Sequence, residues 1–160
     1  MMRAKNRGAT ALEFALLAPV YFLLILGVVE CGIMFWVNLT MQYAVREGAR
    51  YAITGQSNLD PNASNQQRYL AVIEAIKDNS IGLFDQVHPV VATSINGGPL
   101  RTYGDSTQYT SGMFGGPGDI VMLQLNCFWP LTTPLVAPYF MAGNYNFSVA
   151  ATMRNEAYQQ

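Results

Sequence analysis

The longest apolar stretch of the sequence runs from Phe14 to Val37 and contains one charged residue, Glu30. The hydrocarbon core of a bilayer is about 30 Å thick, and a helix needs roughly 20 apolar residues to cross it. Because the stretch meets this length, it predicts one membrane-spanning helix. The chain has 160 residues, which leaves room for one small outer domain after the helix.

The charges on either side of the apolar stretch predict its orientation. The leader carries the basic residues Arg3, Lys5 and Arg7, and no basic residue closely follows Trp36, so the positive-inside rule places the N-terminus in the cytoplasm. A secretory signal peptide starts in the same way, but its apolar region is about 7–15 residues long and is followed by small residues at a cleavage site. Here aromatic residues follow instead, as in the belt of a retained helix. We therefore expect the helix to remain in the protein.

Glu13 lies at the start of the apolar stretch, where an ionisable group is costly without a partner. Gly8 ends the basic leader five residues earlier. If the chain is cut after Gly8, the new amine of Ala9 lies about one helical turn from Glu13, and the same carboxylate can also meet the amine of a neighbouring subunit. Such a charge pair would set the register between packed helices.

Several segments of the sequence resemble a known family. Gly8 followed by ATALE is similar to the type IV prepilin processing site, where a membrane aspartyl peptidase cuts after the glycine and a glutamate occupies the fifth mature position. Residues 44–52 (AVREGARYA), Glu30 before Cys-Gly and the closing segment 153–156 (MRNE) resemble the TadE-like pseudopilins of the Flp/Tad pilus system. The first mature residue would be Ala9 rather than the phenylalanine of most type IV pilins, so N-methylation stays open.

The resemblance implies a structural protein of pilus biogenesis with three segments. These are a basic prepilin leader (1–8), a transmembrane assembly helix (9–37) and an outer α+β pseudopilin domain (38–160). The protein would prime, cap or assemble a Flp/Tad pilus after cleavage. Its implied partners are the prepilin peptidase, other Tad pseudopilins, the major Flp pilin, the inner-membrane assembly platform and the lipid bilayer. The implied location is the inner membrane, with a periplasmic C-terminal domain that reaches the pilus or cell surface after assembly.

The expected fold is a type IV pilin-like α+β fold, in which a long N-terminal helix packs with a second helix on a small antiparallel sheet of three to four strands. The helical spacing continues past Val37 to about Thr54, with Pro19 as a kink in the membrane half. Asp60-Pro61 is typical of a helix start, so we expect the second helix to run from there to about Lys77.

A charged group on the outer half of the first helix is a candidate contact cluster. Arg46 and Arg50 stand one turn apart, and Glu47 lies between them. A solvated helix face is the simpler interpretation, but the small residues 48–49 favour close approach of another backbone. We therefore group these three residues with Glu30 as a helix contact cluster, and predict that Arg50 bonds Glu156 or carbonyl groups at a strand end.

The rest of the chain predicts strands separated by two unusual segments. Alternating side chains indicate strands over 87–95, 120–128 and 147–153, the second of them central. Segment 96–119 is rich in Gly, Ser and Thr, and we expect disorder or a short hairpin, with an aromatic contact surface as the alternative. Segment 129–141 carries three prolines among apolar residues, so it either tucks over the sheet or is exposed as a contact patch.

Composition argues against several classes of function. The formal net charge is −1 and the chain shows no basic patch, so nucleic-acid binding is not expected. The single histidine, His88, sits beside a proline in the predicted first strand without a visible partner. Two distant cysteines, Cys31 and Cys127, have no metal-ligand spacing, and we expect both to be small apolar fillers, with an intermolecular Cys31 disulfide as the alternative. No catalytic residue, cofactor or metal site is predicted.

The alternatives to a pilus role are a membrane-anchored binding module and a pilus-tip adhesin that uses the 96–119 loop.

Overall fold

A computed structural model describes residues 6–62, 64–134, 137–140 and 143–158. Helix α1 spans Asn6–Ile53 without a break, and Pro19 lies inside it. At 1.5 Å per residue a helix of this length is roughly 70 Å long. The outer half of α1 packs on helix α2 and on a four-stranded sheet. The predicted pilin-like α+β architecture is confirmed.

The outer half of α1 presents an apolar stripe to the rest of the domain. Its buried residues recur at three- and four-residue steps, as an amphipathic helix requires: Val37, Met41, Ala44, Val45, Ala49 and Ala52. Leu39, Tyr43, Arg46 and Arg50 on the other side of the helix are exposed. The same continuous helix is therefore exposed on all sides in its first half, whereas in its second half one side is buried against the domain.

Helix α2 spans Arg68–Asp78 and buries Val72, Ile73 and Ile76 against α1. The predicted start at Asp60-Pro61 is wrong by about two turns. Asp60 instead organises the preceding loop, since its carboxylate accepts hydrogen bonds from the backbone N–H groups of Asn62 and Gln67. Asp60 is thus a loop acceptor at the position where the local pattern predicted a helix cap.

The sheet has the order β2-β1-β3-β4, and all of its pairs are antiparallel. The strands are β1 Val90–Ile95, β2 Arg101–Tyr103, β3 Ile120–Pro130 and β4 Asn144–Arg154. Strand β3 lies between β1 and β4, as predicted, and buries alternate residues from Val121 to Cys127. His88 is not in a strand, because it precedes β1 with a left-handed φ of 41° and is exposed. A short helix, α3 Leu83–Gln86, lies just before it.

The 96–119 segment is ordered by a hairpin and by its own apolar side chains. Strand β2 pairs with β1, and a 3-10 helix follows at Ser106–Gln108. Met113 and Phe114 are each 1% exposed, and Tyr103 is buried in the same core. The short hairpin was expected, but the alternative of an exposed contact surface is wrong for these three side chains because they fill the core.

The proline-rich segment joins β3 to β4. Pro130 still pairs with Asn144, Leu131 N–H donates to the carbonyl of Gly143 over 3.0 Å, and a 3-10 helix spans Ala137–Tyr139. The apolar residues 135–136 and 141, which belong to the predicted patch, lie outside the described residues. We refer to residues 128–134 and 137–140 as the hairpin tip.

Candidate functional site

The first half of α1 is an uncovered apolar rod. Large side chains from Leu12 to Val29 are exposed, among them Phe14 at 70% and Leu24 at 60%. The helix is long and apolar enough to cross a membrane, and none of the residues in its most apolar window is buried by the protein. At 1.5 Å per residue, residues 8–29 span about 33 Å, close to the roughly 30 Å of a bilayer core.

The predicted processing residues lie at the start of this rod. Gly8 and Ala9 are exposed within the first turns of α1, which begins at Asn6. Glu13 is exposed one turn beyond Ala9 and on the same side, since residues four apart share a helix face. Within the described part of the chain Glu13 makes no hydrogen bond, so its carboxylate is accessible to a group from outside the subunit.

Glu30 stands where the exposed rod ends and the folded domain begins. Its side chain is only 2% exposed. One carboxylate oxygen accepts a hydrogen bond from the backbone N–H of Thr132 over 3.0 Å, and the other accepts one from the Thr133 hydroxyl over 2.6 Å. Both donors belong to the hairpin tip, so Glu30 fixes the tip against α1. We call this pair of contacts the Glu30 clamp.

The clamp separates Glu30 from the other members of the predicted contact cluster. Glu30 and Arg46 are about 24 Å apart along the helix axis at 1.5 Å per residue. Arg46 and Arg50 are exposed, and Glu47 is half-buried. Arg50 and Glu47 line a small cavity between α1 and α2. The structure therefore brings the two arginines and Glu47 to one exposed face, while Glu30 serves a different contact.

The predicted bond between Arg50 and Glu156 is not formed among the described residues. The side chain of Glu156 is exposed. The backbone N–H of Glu156 donates a hydrogen bond of 3.0 Å to the carbonyl of Ile53 at the end of α1. Gly48 explains the closeness of the two helices instead. A Cβ at Gly48 would lie 2.2 Å from Cγ1 of Ile76, so the small residue admits α2 within the same subunit.

Arg68 binds backbone carbonyl groups, although the sequence predicts this kind of contact for Arg50 at a strand end. Its guanidinium donates to the carbonyl of Ala52 over 2.7 Å and to that of Gly115 over 2.8 Å. The Ala52 carbonyl belongs to the last turn of α1, where acceptors lack helical partners and a cation is favoured. The ring of Tyr158 lies 4.8 Å below the guanidinium. Arg68 thus joins the end of α1, the 96–119 loop and the C-terminal segment.

Asn155 and Asp119 hold the same loop to the end of the sheet. The buried Asn155 amide donates to the carbonyls of Phe114 and Gly116, each over 2.8 Å. Asp119 accepts from the Asn96 side chain over 2.8 Å and from the Gly116 backbone over 2.7 Å. These two hydrogen bonds hold the pKa of Asp119 below its ordinary value.

The sequence analysis assigned no contact to Arg68, Asp119 or Asn155, although Asn155 lies in the 153–156 segment that carries part of the family resemblance. Their partners are backbone groups far along the chain, and no spacing rule predicts such contacts. One signal was available for Arg68, since the end of a long helix requires donors for its last carbonyls. Arg50 was chosen instead because it stands one turn from Arg46 beside the small residues 48–49.

The two cysteines lie in different surroundings. Cys31 is exposed on α1, and Cys127 is buried in β3. Burial raises the pKa of the Cys127 thiol to about 12. Cys127 is therefore a small apolar residue of the core, as predicted, whereas Cys31 is exposed on α1 just beyond the end of the rod. Among the described residues no group of three histidine, cysteine or acidic side chains is placed to hold a metal ion.

The fold and its exposed helix define a class: a pilin-like α+β protein whose single long helix is apolar in one half and packed on a small domain in the other. Residues 8–50 match the family model described as TadE-like protein. This segment of the chain is therefore similar to TadE-like proteins. Neither curated proteins nor solved structures gave a match.

Proposed function

We propose that the chain is a minor pseudopilin with a structural role in assembling a Flp/Tad pilus. The observation that carries this proposal is the coincidence of the TadE-like match over residues 8–50 with an apolar rod that no part of the described protein covers. An uncovered helix of this kind requires lipid before assembly and other helices after it. Other Tad pseudopilins, the major Flp pilin and the assembly platform are the proposed helix partners.

Processing after Gly8 would prepare the helix for this role. The basic leader 1–8 would face the cytoplasm, the exposed part of the predicted span, residues 9–29, would cross the inner membrane, and the packed part of the chain from Glu30 onward would lie in the periplasm. The prepilin peptidase would remove the leader and expose the amine of Ala9. The exposure of Gly8 and Ala9 at the start of α1 supports access by such an enzyme.

Glu13 would then set the register between subunits. Its exposed carboxylate has no hydrogen-bond partner among the described residues, and an unpaired carboxylate in a membrane is costly. The free amine of Ala9 on a neighbouring chain supplies the missing positive charge. Priming and capping a filament both require such a contact, because each joins this helix to a different subunit.

A structural role agrees better with the outer domain than a ligand-binding role. The side chains that would have made the 96–119 loop a binding surface, Met113 and Phe114, are buried. The TadE-like family consists of structural pilus components, and we propose no enzymatic activity for this chain. The adhesin and tethered-binding alternatives therefore have less support than an assembly role.

The mass of the mature protein tests the proposal. In cells that contain a prepilin peptidase, the intact mass should correspond to a chain that begins at Ala9. A Gly8→Val variant should insert into the membrane but keep its leader, since the apolar stretch is unchanged. Gly32→Ala, far from the junction, is the matched control and should be processed normally. Retention of residues 1–8 in the wild-type protein would refute processing.

A further inference from the structure

We infer that the hairpin tip is a second membrane contact, which seats the outer domain on the outer surface of the bilayer. This inference rests on the proposed membrane span of α1. It concerns a different part of the chain, the connection between β3 and β4. The partner that we infer for this connection is the interfacial layer of a lipid bilayer.

The Glu30 clamp places the tip at the level of the membrane boundary. Thr132 and Thr133 bond directly to Glu30, which is the first buried residue after the exposed rod. The rod over residues 8–29 is about 33 Å long, so it fills a hydrocarbon core of roughly 30 Å. Residues at the height of Glu30 therefore stand among the lipid headgroups.

The course of β4 along α1 shows which end of the domain lies next to the rod. At the far end, Glu156 N–H bonds the carbonyl of Ile53, the last residue of α1. The helix rises about 35 Å from Glu30 to Ile53, and the 11 residues of β4 cover about the same length at roughly 3.3 Å per residue. Since β4 lies alongside α1 over this distance, its start and the hairpin tip lie beside Glu30.

The composition of the hairpin suits an interface rather than water. Between Asp119 and Arg154 the sequence contains no Asp, Glu, Lys, Arg or His, and both flanking charges lie at the end remote from the tip. Phe128 is 40% exposed, Pro134 and Pro138 are exposed, and Phe140 is half-buried. Aromatic and apolar side chains without charge are typical of the headgroup level of a bilayer.

The position of the hairpin tip favours contact with the bilayer over contact with a partner protein. The tip and the rod are continuous, because the clamp joins them at the height where the rod leaves the lipid. A partner protein at the tip would have to occupy the space next to the emerging helix, which lipid fills before assembly. Two points of contact would fix the tilt of the outer domain over the membrane, which one helix alone leaves free.

Fluorescence quenching in vesicles tests the inference. The full chain, with Cys31 changed to serine, is reconstituted into phosphatidylethanolamine and phosphatidylglycerol vesicles with the environment-sensitive dye NBD on a single exposed cysteine. The positions are P134C at the tip, L24C in the rod as a membrane reference, and Q56C beyond the end of α1 as an aqueous reference. Nitroxide lipids then report contact with the bilayer, and near-UV circular dichroism confirms folding of each variant.

We expect nitroxide lipids to quench P134C at least twofold more than Q56C, with a blue-shifted emission. Adding Glu30→Ala should remove this excess at P134C and leave L24C unchanged, since the clamp is lost and the span is kept. Quenching of L24C with P134C at the Q56C level would refute the inference and leave the span intact. A blue shift at P134C without lipid quenching would mean that protein covers the tip, and would also refute it. Absence of quenching at L24C would refute the span itself.

Discussion

Replacing Arg68 should destabilise the outer domain more than any other exposed or half-buried arginine. Arg68→Met keeps the apolar stem but removes the donors to Ala52 and Gly115, which are 2.7 and 2.8 Å away. Hydrogen bonds to charged groups contribute about 1.5–3 kcal/mol each, and the two are not additive because they share one side chain. Water replaces part of the loss at a half-buried site, so we expect about 3 kcal/mol.

Thermal unfolding of the full chain in detergent micelles measures this loss. For a domain of this size about 3 kcal/mol corresponds to a fall in Tm of roughly 10 °C, and near-UV circular dichroism follows the aromatic packing around Tyr158. Arg50→Met is the matched control, and its exposed position predicts a change within about 0.5 kcal/mol. Arg68→Lys should fall between the two, since it keeps the charge but loses the planar fork.

Two results would refute this reasoning about Arg68. If Arg50→Met lowered Tm as much as Arg68→Met, Arg50 would make a stabilising contact of the kind that the sequence predicts with Glu156 or a strand end. If neither variant changed Tm, the bonds to the Ala52 and Gly115 carbonyls would be replaced by water at no cost.

Three further changes probe the helix packing, the loop and the assembly contact. Gly48→Ala should lower the free energy of unfolding by about 1–3 kcal/mol through overpacking against Ile76. Gly32→Ala is the control and should not lower it, because the space around Gly32 is open. Equal Tm values for the two variants would contradict the close approach of α2 to Gly48. Asp119→Asn should lower Tm at pH 7 and make Tm depend less on pH in the acid range. The lowered pKa of the folded carboxyl stabilises the fold above the unfolded pKa of about 3.9, and this stabilisation is lost as the pH falls from there through the folded pKa. Parallel pH profiles of Tm for the variant and the wild-type protein would refute this. Glu13→Ala should insert normally yet reduce cross-linking between neighbouring helices in assembling cells, and wild-type cross-linking would exclude the proposed charge pair.

Local patterns in the sequence determined the long elements of this protein. The apolar stretch from Phe14 to Val37 and the helical spacing after it predict α1 almost to its last residue, Ile53. The strict alternation from Val121 to Cys127 predicts a central strand, which β3 is. Periodicity of this kind is a property of neighbouring residues, since a helix or strand face is defined by steps of a few positions.

Tertiary structure alone decided how those elements are joined and which polar side chains join them. Asp60 accepts bonds from its own loop instead of capping α2, and Arg68 rather than Arg50 bonds the end of α1. Glu30 reads in the sequence as a flaw in an apolar run, yet it bonds Thr132 and Thr133 about a hundred residues later. Such contacts join single side chains to distant backbone groups. They leave no repeat in the sequence, because they depend on where the folded chain returns and not on which residues are neighbours.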